Sequence, residues 1–275
     1  HREPFLEGGG REHQEVGSGF FPGQETVEFG ACAENDDGAA DEDAHVFQLI
    51  GHFADVHAGT GDQPEEVEEA RPFFHEPSEW KEIGTGVPGL AGEYFLVTGS
   101  GKFFRNVILD PEDTCAIIEL DDKGEKYRIW WGLCHGGRPT SELPTHLMNH
   151  EVKKKATNGK HRLIYHCHPV NVIAMSCVLP LTDKDFTLAL WQNMTECAIV
   201  FGEGVGVLPW MVCGGREIAV ATAEKIKKYN VVIWAQHGIF CAGNDFDETF
   251  GLAHTVEKSA EIFVRVASMT GGLAK

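Results

Sequence analysis

The stretch CAIIELDDKGEKYRIWWGL, residues 115–133, carries two short runs of β-branched and aromatic residues on either side of a polar turn. "CAIIEL" (115–120) and "KYRIWWGL" (126–133) read as strands, and Asp121-Asp122-Lys123-Gly124 between them has the residues a tight reversal needs. Strands joined in this way run antiparallel, so the sheet they enter is antiparallel or mixed rather than purely parallel. Outward from this hairpin the texture alternates. "EYFLVTG" (93–99), "RLIYHCH" (162–168), "ECAIVF" (196–201) and "VVIWAQ" (231–236) read as further strands. "THLMNHEVKKKATNGK" is predicted to be a helix bracketed by Pro144 and Gly159, "VNVIAMSCVL" (170–179) an apolar helix and "REIAVATAEKIKKY" (216–229) an amphipathic one. A long final helix follows from about Asp245, with Phe250, Ala253, Val256 and Ala260 on one face. The pattern predicts an α/β fold: a central mixed or antiparallel sheet covered by helices.

The first 80 residues differ in kind. They hold 20 acidic and three basic residues, so they carry −17 of the net charge of −19, and they contain no Lys, Met or Tyr. Residues 1–80 therefore read as an acidic Gly/Glu-rich segment with little regular structure, and residues 81–275 as the folded domain. Within the segment only residues 45–59 show helical apolar spacing, and its six histidines read as solvent-exposed. The strongly negative charge argues against nucleic acid or an anionic membrane as partner. Eight cysteines scattered without a CxxC pair are expected to be buried free thiols, and no run of about 18 apolar residues marks a membrane span. Together these features predict a soluble cytoplasmic protein.

Alternate strand residues face the same way, so His166 and His168 in "RLIYHCHPVN" project together while Cys167 points to the other face. Two adjacent imidazoles can hold one zinc ion, and a catalytic zinc takes a third protein ligand, for which His237 in "WAQHGIF" is the candidate. The competing reading is a pair of hydrogen-bonded core histidines. In "VTGSGKFFRN" (97–106), Ser100 and Gly101 lie in a tight turn after a strand, which can present donors to a phosphate or can simply connect two elements. In "RPTSELPTH" (138–146), Thr140, Ser141 and Glu142 precede a helix start. They read either as a helix cap or as phosphate-holding hydroxyls beside a general base.

Taken in order, "TGSGKFFRN", "PTSELPTH", "ATNGKHRLIYHCHPVNVIA", "TECAIVF", "GVGVLPWMV", "HGIF" and "DETFGLAHTVEKSA" resemble the zinc-dependent class II aldolases, over residues from about 80 to 275. The resemblance implies a central sheet with helices on both faces and retro-aldol cleavage of a phosphorylated sugar to dihydroxyacetone phosphate and an aldehyde. It implies that His166, His168 and His237 hold one Zn2+ per subunit and that Glu142 is the catalytic acid/base. Ser100, Gly101, Thr140 and Ser141 fall where the family cradles phosphate. Glu196, in "TECAIVF", matches a second catalytic acidic residue at the aldehyde end of the site. The family's enzymes are homotetramers. Fuculose-phosphate aldolases and ribulose-phosphate 4-epimerases share the TGSG, SE and HxH elements, so the resemblance leaves these relatives open as alternatives. The family's "GN-x-S/T" phosphate loop does not occur in residues 1–80. The chain is therefore also expected to be a fragment whose first 80 residues are unrelated to the family, and a zinc-binding homologue without turnover is a third reading.

Overall fold

A computed structural model describes residues 67, 68, 70–103 and 106–271. The helix expected at 45–59, five of the six N-terminal histidines and Cys32 lie outside the described residues. The first sheet contains β1 (Lys81–Glu82), β2 (Tyr94–Thr98), β3 (Cys115–Leu120) and β4 (Lys126–Gly132), in the order β1-β4-β3-β2 and antiparallel throughout. A one-turn helix, α1 (Pro111–Thr114), leads into β3. The β3–β4 turn forms as its residues predict. Asp121 Oδ1 accepts the backbone N–H groups of Glu125 (2.7 Å) and Lys126 (2.9 Å), and Gly124 adopts φ +67. A side chain at Gly124 would also meet the Val87 carbonyl oxygen at 2.3 Å, so close approach and left-handed backbone both require glycine there. Residues just before the expected boundary at 81 pack on this sheet: Ala70 is fully buried, and Phe74 stacks on Tyr94 and Trp130.

The chain then enters α2 (Leu143–Thr157), β5 (Leu163–Cys167), α3 (Val170–Ser176), α4 (Asp183–Asn193), α5 (Cys197–Val200), β6 (Gly206–Leu208), α6 (Arg216–Ile226), β7 (Val231–Trp234), β8 (Gly238–Gly243) and α7 (Phe246–Thr270). The second sheet runs β5-β8-β7-β6; β6 and β7 are parallel and the other pairs antiparallel. The predicted mixed α/β architecture is present, with its strands divided between two four-stranded sheets. In the second sheet β6, β7 and β8 are buried on both faces, which is why β7 reads as a continuous apolar run, whereas β5 is largely half-buried. Val231, Ile233, Ile239 and Cys241 pack with residues of α3, α4 and α7, whereas Val232, Trp234, Phe240 and Ala242 pack with Ile218 and Ile226 of α6. The Trp234 indole N–H donates to Thr222 Oγ1 at 2.8 Å, so even this large buried aromatic has its polar atom satisfied.

Three local expectations are corrected. "ECAIVF" is not a strand: it forms α5 and its two cap residues, with Cys197 and the cap residue Phe201 buried while Ile199 is 85% exposed. Burial at a spacing of four belongs to a helical turn, and packing overrides the β-propensity of Ile and Val. In α7 the buried stripe runs through Thr249, Leu252, Ala253, Val256, Ser259, Ala260 and Phe263, and Phe250 stands off it at 39% exposure. Of the cysteines, Cys115, Cys197 and Cys241 are buried but Cys134, Cys177 and Cys213 are exposed, and no disulfide forms among the described residues. No described helix is long and apolar enough to cross a membrane.

Helix α2 ends at Thr157 because Asn158 takes the left-handed cap conformation (φ 53), with Gly159 following it. Its inner side carries histidines that burial makes hard to protonate: His146 is pushed down to about 4 and His150, edge-on to Phe95, to about 3, from an ordinary 6.5. In the unfolded chain both bind a proton near the ordinary value, so between those limits the unfolded state holds more protons. Stability is thus complete above pH 6.5 and falls as pH drops below it, by at most about 1.4 kcal/mol per pH unit for each histidine. Thermal denaturation of the metal-free chain from about pH 7 to about pH 5 should show a falling Tm, with a shallower slope in His150→Leu. A pH-independent Tm over that range would refute the assignment.

Candidate metal centre and its carboxylate

Strand β5 pairs with β8 so that His166 lies opposite Phe240, and the alternation of the strand turns His166 to the Trp234–Phe240 side while Cys167 packs in the opposite cluster. The His166 ring stacks on Phe240, with centroids 4.2 Å apart and planes at 20°. Its Nδ1 lies 2.9 Å from the Ile239 carbonyl oxygen. A carbonyl accepts only, so Nδ1 carries the proton and the Nε2 lone pair is left for the centre. His168 follows one residue past the end of β5 and is exposed at the rim. His237 comes from the three-residue turn between β7 and β8, where Gln236 is left-handed at φ 58.

The three Nε2 atoms form a nearly equilateral triangle: 3.1 Å from His168 to His166, 3.2 Å from His168 to His237 and 3.3 Å from His237 to His166. A tetrahedral zinc with bonds of 2.0–2.1 Å needs ligand nitrogens about 3.3 Å apart, so the triangle has the size of one face of that tetrahedron. All three imidazoles are harder to protonate than usual, chiefly through burial, and His166 lies well below its ordinary value. At neutral pH they are therefore uncharged donors, the form that binds Zn2+ and similar transition metals. Among the described residues this is the one cluster of three or more His, Cys, Asp or Glu side chains whose donor atoms converge on a point.

Close packing holds the triangle together. A Cβ at Gly238 would lie 2.3 Å from the Cys167 carbonyl oxygen and 2.9 Å from His168 Cδ2, so β5 and the β7–β8 turn can approach only over a glycine.

Glu142 sits at the N-terminal end of α2 and is 6% exposed. Burial raises its pKa; the Gly214 N–H, which donates to Oε2 at 3.1 Å, and the nearby His168 partly offset that rise. A carboxyl whose protonated form burial favours, beside a candidate metal centre, is suited to exchanging a proton with a bound ligand. The loop residues before it meet the turn after β2. Gly99 and Pro139 form a bridge, the Ser100 N–H donates to the Arg138 carbonyl (2.8 Å) and the Thr140 N–H to the Thr98 carbonyl (2.9 Å). The turn that carries Ser100 and Gly101 is thereby drawn against the segment of Thr140 and Ser141 that leads into Glu142. The Ser100 amide, expected to be open to an anion, is already engaged in this bridge, and Thr140 Oγ1 accepts the Glu142 N–H at 3.3 Å. The side-chain hydroxyls and the Gly101 amide are the donors that remain for a ligand.

Glu196 stands apart from this cluster in its bonding: it is exposed at the start of α5 and shares no hydrogen bond with Glu142 or the histidines. The sequence reading missed Gly214, whose amide grips Glu142; the glycine pair in "CGGRE" before α6 is its only sequence signal. It also missed Phe240 and Gly238, because both act through pairing of β5 with a strand some 70 residues away and carry no mark in the local sequence.

Comparison with known proteins identifies the family. The family model described as the class II aldolase and adducin N-terminal domain matches residues 82–264. A rhamnulose-1-phosphate aldolase of Mannheimia succiniciproducens is 52% identical over 198 residues, covering 72% of this chain and 73% of that protein. The rhamnulose-1-phosphate aldolase of Escherichia coli O81 is 50% identical over 198 residues, covering 72% of each. Among solved structures, a sugar-phosphate aldolase from Thermotoga maritima superposes with a TM-score of 0.63 at 25% identity, covering 84% of this chain and 97% of that one. A family match over most of the described residues and half-identity to these relatives make the conclusion direct: the chain belongs to the class II aldolase family.

Proposed function

We propose that the chain is a zinc-dependent lyase that cleaves L-rhamnulose 1-phosphate to dihydroxyacetone phosphate and L-lactaldehyde. The observation that carries this reading is the triangle of three uncharged imidazole nitrogens, 3.1 to 3.3 Å apart, next to a buried carboxyl. The identity to rhamnulose-1-phosphate aldolases supports the choice of sugar. His166, His168 and His237 would hold the metal. Bound zinc would act as a Lewis acid, drawing electrons from the substrate carbonyl and stabilising the negative charge that develops as the carbon–carbon bond breaks.

The chain's own residues account for the rest. Glu142 is placed to hold the proton that the carbon of the three-carbon product must gain, and burial favours its protonated form relative to an ordinary carboxylate. The hydroxyls of Ser100, Thr140 and Ser141 and the Gly101 amide orient the phosphate at one end of the substrate. Glu196, exposed and without a hydrogen bond to Glu142 or the histidines, would serve the aldehyde end from a neighbouring copy, and the exposed Ile199 (85%) and Trp210 (66%) are consistent with surfaces that pair in a tetramer. The catalytic unit in this reading is the domain of residues 81–275 together with the residues from Ala70 that pack on its first sheet, acting in the cytoplasm.

A coupled assay for dihydroxyacetone phosphate, run on the zinc-loaded chain with rhamnulose 1-phosphate and fuculose 1-phosphate, tests it. Turnover of rhamnulose 1-phosphate at least about tenfold above fuculose 1-phosphate in kcat/KM is expected. Preference for the fuculose ester would move the assignment to a sister activity, and stoichiometric zinc without turnover of either would leave a metal-binding homologue.

A further inference from the structure

One short helix touches both segments that carry the histidines. We propose that α3 (Val170–Ser176) is a strut clamped at both ends, which fixes the spacing of His168 and His237, with Ser176 and Glu257 as positioning residues. The proposal rests on the zinc reading above and concerns what holds the ligands, not what they bind.

The N-terminal end of α3 begins two residues after His168, and its cap residue, Pro169, has no side-chain acceptor for the first amides. Glu257 of α7 supplies one. Its Oε1 accepts the Asn171 backbone N–H (3.1 Å) and side-chain Nδ2 (2.7 Å), and its Oε2 accepts the Val172 N–H (3.1 Å). A single carboxylate therefore anchors the helix start, and through it the short link to His168. Val172 and Met175, 1% and 0% exposed, seat the helix in the core that also contains Val256 and Ala260 of α7.

At the other end Ser176, 3% exposed, donates its hydroxyl to the Ile173 carbonyl (2.6 Å) and accepts the Gln236 N–H (2.8 Å). The first bond is the usual one for a serine near a helix end. The second is not: it reaches 60 residues along the chain to the left-handed residue next to His237. Gln236 Nε2 also approaches the Ser176 carbonyl, at 3.5 Å. A left-handed backbone at a residue that is neither Gly nor Asn persists only where its surroundings hold it, and Ser176 is the group that holds it here. Two of the three proposed ligands, His168 and His237, thus lie next to the two clamped ends of one helix.

The test uses the full chain, stripped of metal and titrated with zinc against a chromophoric chelator, with cobalt as a spectroscopic substitute. Ser176→Ala is expected to weaken zinc about 10- to 100-fold and to change the visible cobalt spectrum, because the ligand geometry itself relaxes. Ser176→Thr, which restores the hydroxyl, should recover both. Wild-type affinity and an unaltered spectrum in S176A would overturn the strut. Should S176A fail to fold, Glu257→Gln, which weakens the anchor at the other end, should lower zinc affinity about tenfold, and unchanged affinity there would overturn it equally. Failure of the wild-type chain to take up zinc would overturn the metal reading itself, and is read before any variant is compared.

Discussion

Replacing Glu142 by Gln is expected to lower kcat for sugar-phosphate cleavage by about 10²- to 10⁴-fold while leaving bound zinc at the wild-type level. The two side chains have the same shape, and the glutamine carbonyl can still accept the Gly214 N–H that now meets Oε2 at 3.1 Å. The variant loses only the ability to give and take a proton. Because Glu142 is 6% exposed, a neutral amide there also removes a buried titratable group, so the fold is not placed at risk. The prediction is checked by steady-state kinetics with metal analysis of the same preparation. Turnover within a few-fold of wild type would remove Glu142 from the chemistry, and loss of zinc would make it a structural support of the centre instead.

The second large effect is on the metal. His168→Ala should leave less than about a tenth of a zinc equivalent per chain after dialysis, and no measurable cleavage, since two imidazoles do not hold a catalytic zinc against buffer. His168 is the cleanest of the three ligands to test. His166 stacks on Phe240 and bonds to Ile239, so its removal opens a hole in the core; His168 stands exposed at the rim. The metal-free variant should therefore melt close to the metal-free wild type, and zinc should raise Tm in the wild type only. Retention of a full zinc equivalent by H168A would show that the triangle is not the metal site.

The parts of this protein that sequence makes legible are those written in local patterns. The β3–β4 hairpin is announced by Asp121 and Gly124, and both act in the structure as their residue types predict. The pairing of His166 with His168 follows from strand alternation, and the third histidine could be named because it ends an apolar run. The remainder is not local. Whether "ECAIVF" becomes strand or helix depends on which residues find a core, and only Cys197 and Phe201 do. Phe250 satisfies the helical spacing that was read for α7, yet the core lies one position to the side. The Gly214 amide reaches Glu142 across 72 residues, and no window of sequence contains both.

The long reach of β5 to β8 also decides when the centre can exist during synthesis. His166 and His237 are 71 residues apart, and they meet only after β8, ending at Gly243, has paired with β5. A nascent chain still short of that strand would have two of the proposed ligands and no third, so zinc would not guide its early collapse. Long-range pairing of this kind is slow relative to local hairpins and helices. In the zinc reading the metal would therefore enter as a lock on a nearly finished structure: it would stabilise the completed second sheet by mass action and contribute nothing to the assembly of the first sheet.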